Sequence, residues 1–188
     1  MAQGRPEDYP RTVATTLRLS IDRIDGEHHE AAGLLRLCAF LAPNDIPVRA
    51  LQAGADALPD DLRSALMDDV EFDRTVAGLR RYSLVDRKGD GLHVHPLVQA
   101  MIRESLSPDL AAAWASAAVR MLSAALPQDA HDHPELWPLC ARLLPHARAV
   151  EQLAAAHVPP LTLASLLDRV GLYLFGRGEM GTGSRESV

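Results

Sequence analysis

The sequence predicts a mainly α fold in which one short β-hairpin interrupts a train of helices. Three observations predict it. Apolar residues recur at helical spacing along most of the 188 residues, the period drops to two in a single stretch over 84–95, and the second half is alanine-rich and punctuated by prolines.

Residues 1–10 are polar and carry two prolines, which predicts a linker. From 11 to 24, Val13, Leu17, Ile21 and Ile24 form one apolar face of a helix. A second helix over 27–41 is apolar almost all round from 33 to 42, the pattern of a central, buried helix. Pro43-Asn44-Asp45 is turn chemistry, and Pro47 is expected to open a short helix from its first turn. Pro59-Asp60-Asp61 starts another, carrying Leu62, Leu66 and Met67. A helix after Asp69 bears Phe72, Val76 and Leu79 and ends near Tyr82.

Residues 84–87 and 92–95 then alternate like strands around Lys88-Gly89-Asp90-Gly91. Asp90-Gly91 is the expected turn, because both residue types tolerate positive φ. His95-Pro96 opens a helix with Leu97, Met101 and Ile102 on one side. Helices, a hairpin and one more helix suit a winged-helix domain over 11–106, with the hairpin as its wing. Its predicted core joins Leu34, Leu35, Cys38, Phe40, Val76, Leu79, Leu97 and Met101.

Ser107-Pro108 reads as an N-cap and first-turn pair for a helix running to Leu126. A loop over 127–133 precedes two expected helices, 134–144 and 145–157, divided where Pro145 removes a backbone donor. Pro159-Pro160 ends that pair, 161–175 forms a last helix, and 176–188 is glycine-rich. The predicted organisation is a linker (1–10), the winged helix (11–106), a helical linker (107–158) and a further helical unit (159–188).

Composition narrows the function classes. Apolar residues make up 47% and charged ones 23%, a folded rather than a disordered balance. No apolar run approaches the ~20 residues of a bilayer span, and the start lacks a secretory core, so no membrane partner is expected. Cys38 and Cys140 lie in apolar helical stretches without a CxxC partner, which predicts buried thiols and a reducing, cytoplasmic setting. A formal net charge of −6 argues against a dedicated nucleic-acid binder.

Four segments occur in an order that resembles a known family: TLRLSIDRI (16–24), LLRLCAFLAPNDIPV (34–48), TVAGLRRYSLVDR (75–87) and LHVHPLVQAMIRE (92–104). Together they are similar to the winged-helix segment of NB-ARC-type STAND ATPases, above all bacterial ATP/GTP-binding proteins that carry tetratricopeptide repeats. The segments around Trp137-Pro138 and Leu143 to His146, and LLDRVGLYLFGRGEM (166–180), resemble the helical linker and the first repeat of those proteins. Leu167, Val170 and Gly171 would fill the large, apolar and small positions of the repeat's first helix, and its second would start near Met180.

That resemblance implies a nucleotide-sensing role for His95. In the family a Met-His-Asp triplet at the strand-to-helix junction lets its histidine reach the β-phosphate of ADP. Val94-His95-Pro96 stands at the matching place, with Pro96 replacing the capping aspartate. No GxxxxGK[ST] phosphate loop and no supported Ser-His-Asp or Cys-His arrangement is present. The chain is therefore expected to be a non-catalytic regulatory fragment with no cofactor of its own, coupling the ADP/ATP state of a parent protein to a sensor. Its expected partners are an upstream nucleotide-binding domain of the same chain and a protein or peptide ligand bound through downstream repeats.

The alternatives are a pure interaction scaffold, in which His95 only caps a helix, and a DNA-binding regulator. In the latter Arg80, Arg81, Arg87 and Lys88 would meet phosphates. Against it, the leading end of the candidate recognition helix carries Asp68, Asp69, Glu71 and Asp73. His93 with His95, and His131 with His133, lack a third placed ligand, so no metal is expected. His28-His29 is expected to be solvated, and Trp114 and Trp137 to be packing anchors.

Overall fold

The computed structural model describes residues 8–178, with side chains from residue 15 onward. Helix α1 (Asp8–Glu27) leads into α2 (His29–Cys38), followed by strand β1 (Ile46–Pro47) and α3 (Val48–Ala53). A 3-10 turn (Ala55–Ala57) connects to α4 (Asp60–Met67) and α5 (Asp69–Arg81). The hairpin is β2 (Asp86–Lys88) and β3 (Gly91–His93), and α6 (Pro96–Ser105) follows it. Helix α7 (Pro108–Ala125), a second 3-10 turn (Pro134–Leu136), α8 (Trp137–Ala154) and α9 (Pro160–Gly176) complete the described chain, which is mainly helical.

The helix starts have local causes. Asp68 caps α5 by accepting from the Val70 and Glu71 N–H groups, and Ser107 caps α7 through the Leu110 N–H. Helix α2 and the turn after it are the hub: Leu34, Leu35, Leu37 and Cys38 of the helix and Phe40 and Leu41 of the turn are all buried. Val76, Leu79 and Met101 join it in one cluster, which continues through Ala111, Trp114, Ala115 and Ala118 of α7. Trp114 packs over Gly33, where an added Cβ would stand 3.3 Å from the indole. Leu97 departs from expectation and is 42% exposed, because the buried face of α6 is Val98, Met101 and Ile102, at i, i+3 and i+4. Met67 likewise faces outward at the end of α4.

A third strand was not expected. The sheet is antiparallel in the order β1-β3-β2, with Ile46 opposite Leu92 and Pro47 opposite Gly91. Pro47 thus sits in an edge strand rather than inside a helix, and serves as the N-cap residue of α3. The Val48 N–H donates to the Asp90 carbonyl at 2.9 Å, so the 48–90 pair is hydrogen-bonded and the neighbouring 47–91 pair is not. Proline's missing N–H therefore removes no rung of the ladder.

The hairpin turn is displaced by one residue from Asp90-Gly91. Lys88 pairs with Gly91, leaving Gly89-Asp90 as the two-residue loop, and the positive φ (61°) belongs to Gly89. A glycine with positive φ at the first loop position is the II′ pattern.

Pro145 does not divide two helices. Helix α8 runs unbroken from Trp137 to Ala154 with Pro145 inside it. An interior proline costs about 3 kcal/mol of helix propensity. Cys140 and Leu143 before it, and Ala147 and Val150 after it, are buried, and α8 packs against α7 and α9, which holds both halves in line. At the other end of the chain, Asp8, Tyr9 and Pro10 already belong to α1, shortening the expected linker; residues 1–7 lie outside the described residues. The proposed second repeat helix near Met180 also lies outside them. Leu167 is 41% exposed, and a Cβ at Gly171 would meet nothing within 4 Å among the described residues.

Candidate functional site

A groove of about 430 Å³ opens at the root of the hairpin, where α5 ends and α6 begins. Its polar lining is Asn44, Arg80, Ser83, Asp86, His93 and His95. The end of α5 builds one wall. The Leu84 N–H donates to the Leu79 carbonyl and the Ser83 N–H to the Arg80 carbonyl, a Schellman closure that requires a left-handed residue between them. Ser83 fills that position at φ 57°. The closure turns the chain back into β2 and leaves Arg80 over the groove. Its guanidinium lies 4.0 Å from Asp86, with both side chains more than half exposed, so the pair is loose.

His95 is the N-cap residue of α6, and its ring is exposed. Its Nδ1 accepts from the Leu97 N–H at 3.1 Å. That bond requires a lone pair on Nδ1, so the neutral ring carries its proton on Nε2. Histidine thereby replaces the capping carboxylate whose loss Pro96 implied, and Pro96 at the first helical position suits the start. Nε2–H has no partner among the described residues and is the ring's available donor. His93 lies two residues back, its Nδ1 3.5 Å from Asn44 Oδ1.

The basic residues of the DNA reading are divided between sites. Arg80 lines the root groove, whereas Arg87 lines a different cleft beside α3 and α5. Arg87 is folded back on α5, ion-paired to Asp73 and lying 5.6 Å from the Phe72 ring centre. Arg81 and Lys88 are exposed.

A second polar cluster, at the tip of the hairpin, has no signal in sequence spacing. Arg142 of α8 donates from Nε and Nη2 to the two carboxylate oxygens of Asp45, at 2.9 and 2.7 Å. It also donates from Nη1 and Nη2 to those of Asp90, at 2.7 and 2.9 Å. These bonds hold both carboxyls below their ordinary range and raise the guanidinium's pKa. One turn further along α8, His146 is buried, and its Nε2 lies 3.1 Å from the Asp45 carbonyl. Its Nδ1 is buried with no hydrogen-bond partner among the described residues, and burial pushes its pKa down.

The remaining candidates resolve locally. His131 pairs with Asp132, and His133 pairs with Glu135 and Asp129. Among the described residues no group of three or more His, Cys, Asp or Glu side chains is placed to hold a metal ion. Cys38 and Cys140 are both buried, and burial pushes the Cys38 thiol up to about 12. His28 and His29 are exposed. Trp114 is buried, and Trp137 donates its indole N–H to the Ala130 carbonyl at 2.8 Å. No described helix is long and apolar enough to cross a membrane.

No curated protein and no solved structure matches the chain. Residues 22–111, from within α1 to the first turn of α7, match a family described as a domain of unknown function (DUF7779). The matched region contains all three strands and the whole root groove, and stops short of Arg142.

Proposed function

We propose that the chain is the regulatory, non-catalytic part of an NB-ARC-type STAND ATPase. In this reading it senses whether ADP or ATP is bound to an upstream module and relays that state to a repeat-based sensor. The winged-helix assignment draws support from the order helix (α2), strand, three helices (α3, α4 and α5) and hairpin, with β1 pairing beside β3. The observation that carries the nucleotide reading is the outward Nε2–H of His95 at the start of α6, across a groove that also holds Arg80 and His93. A directional donor, a guanidinium and the positive end of a helix suit a phosphate group supplied by a neighbouring domain. The DNA-binding reading loses support, because Arg87 is committed to Asp73 and Asp90 at the hairpin tip is held by Arg142.

Separating a sensor from a mere cap requires two variants in the parent protein. His95→Ala removes both the cap and the donor, and is expected to lower stability by about 1 kcal/mol. His95→Asn supplies a competent capping oxygen without the same outward donor. If His95 senses nucleotide, both variants lose retained ADP on purification while Asn restores the melting temperature. Unchanged ADP occupancy in both variants sinks the sensor role and leaves the interaction scaffold.

A further inference from the structure

The tip cluster and the root groove share one short segment of chain. Residues 43–48 cross the hairpin and are pinned to it at both ends. The Val94 N–H donates to the Pro43 carbonyl at 2.8 Å, and the Val48 N–H donates to the Asp90 carbonyl at 2.9 Å. Within the segment, Asn44 lines the groove against His93, and the next residue, Asp45, belongs to α8's grip. Asp45 has a φ of 56°, a left-handed conformation that aspartate adopts more readily than most non-glycine residues and that sharpens the turn here.

We propose that Arg142 is a positioning residue that couples helix α8 to the shape of the root groove. Its single guanidinium forks onto both carboxylates, and His146 takes the Asp45 carbonyl one turn further along the same helix. Helix α8 therefore holds residue 45 by side chain and backbone together, and holds the hairpin tip through Asp90. Gly91 leaves the room this needs: a Cβ there would run into Asp45 Oδ1 and Arg142 Nη2.

The structure shows the cluster in one arrangement, with Arg142 seated; the coupling works through a second, in which it is withdrawn. With Arg142 seated, a single guanidinium is shared between the two carboxylates through four hydrogen bonds. With Arg142 withdrawn, they face each other as like charges and the crossing segment keeps only its backbone bonds to the hairpin and to His146. The cluster is not what attaches α8 to the rest of the fold, since Cys140, Leu143, Ala147 and Val150 are already in the common core. Helix α7 is packed into the common core, so the latch sets how α8 sits against the sheet. A shift of α8 passes through Asp45 and Asn44 to the His93 and His95 wall. The coupling is independent of any ligand; only its use as nucleotide regulation rests on the function proposed above.

Amide hydrogen exchange of the chain tests the coupling. In Arg142→Ala, the Val48 and Val94 amides are expected to exchange about five-fold faster, and the His93 and His95 ring resonances to move. The Leu66 and Val76 amides in α4 and α5 should keep their rates. Arg142→Lys, which retains charge without the fork, should fall between the two. Wild-type rates at Val48 and Val94 in Arg142→Ala, or one uniform acceleration across the chain, would overturn the proposal. Local acceleration combined with unchanged ADP occupancy in the His95 variants would keep the coupling and discard the nucleotide reading. Unaltered exchange with lost ADP would do the reverse.

Discussion

The two ends of one hairpin differ in kind. At the root, Arg80 and Asp86 are 4.0 Å apart and His93 meets Asn44 at 3.5 Å, while His95 has a nitrogen without a partner among the described residues. At the tip, one guanidinium makes four bonds of 2.7–2.9 Å and the neighbouring imidazole is buried, with Nε2 on the Asp45 carbonyl and only Nδ1 left without a partner among the described residues. Polar groups that satisfy one another fix a structure, whereas polar groups left unsatisfied beside a cavity are available to a ligand. The root is thus the candidate site and the tip its support.

The sharpest way to break this comparison is to add one methyl group at the tip. Gly91→Ala pushes Asp45 and Arg142 apart and is expected to destabilise the chain by about 1–3 kcal/mol in urea unfolding. Gly91 has no positive φ, so the loss would come from crowding and not from backbone conformation. A change near zero would mean the tip is as loose as the root.

Gly91 also shows where reading the sequence stopped. The hairpin was legible from its alternating residues, but the choice between Gly89 and Gly91 as the turn glycine depends on register, and Gly91 is taken up by pairing with β1. That strand has two residues, one of them proline, and carries no periodicity of its own. The Ser107 cap was legible because it acts within three residues of itself, whereas the start of α5 was placed at Asp69, one residue beyond its true cap, Asp68. Helix α8 was not legible as one element, since the packing that offsets Pro145 comes from α7 and α9. His95 stood out only through a family resemblance, because its spacing alone suits a cap equally well. Arg142 gave no signal at all: its partners lie 97 and 52 residues away, and an arginine inside a helix is ordinary.

A second measurement separates the ends by pH. His146 is buried, and its pKa in the folded chain lies below 6.5, its ordinary value. Below pH 6.5 the unfolded chain takes up a proton that the folded chain refuses, so this contribution to stability is lost as pH falls. The loss continues down to the folded pKa, at no more than about 1.4 kcal/mol per pH unit. The groups that face His146 are the Asp45 carboxylate and carbonyl, Arg142 and the Ala42 carbonyl. His133 has the opposite sign: hydrogen bonding to Glu135 raises its pKa, so its contribution is complete below 6.5 and is lost as pH rises through the raised value. It is exposed, and screening leaves His146 dominant. Unfolding at pH 7.5 and 5.5 should show lower stability at 5.5, and His146→Gln should flatten the difference. An equal drop in His146→Gln would place the titrating group elsewhere.

The smallest expected effect probes the root. Ser83 closes helix α5 in a left-handed conformation that glycine adopts without strain. Ser83→Gly is expected to raise stability by about 0.5–1 kcal/mol, because the αL penalty for a side-chain-bearing residue disappears. The gain is reduced by the extra freedom glycine has when unfolded. A stabilising substitution at a groove wall, beside a destabilising one at Gly91, would mark the root as strained and open and the tip as filled. If Ser83→Gly instead destabilises the chain, the serine hydroxyl is doing structural work in the groove. The root would then be a second closed cluster, and the case for a ligand there would lose its physical basis.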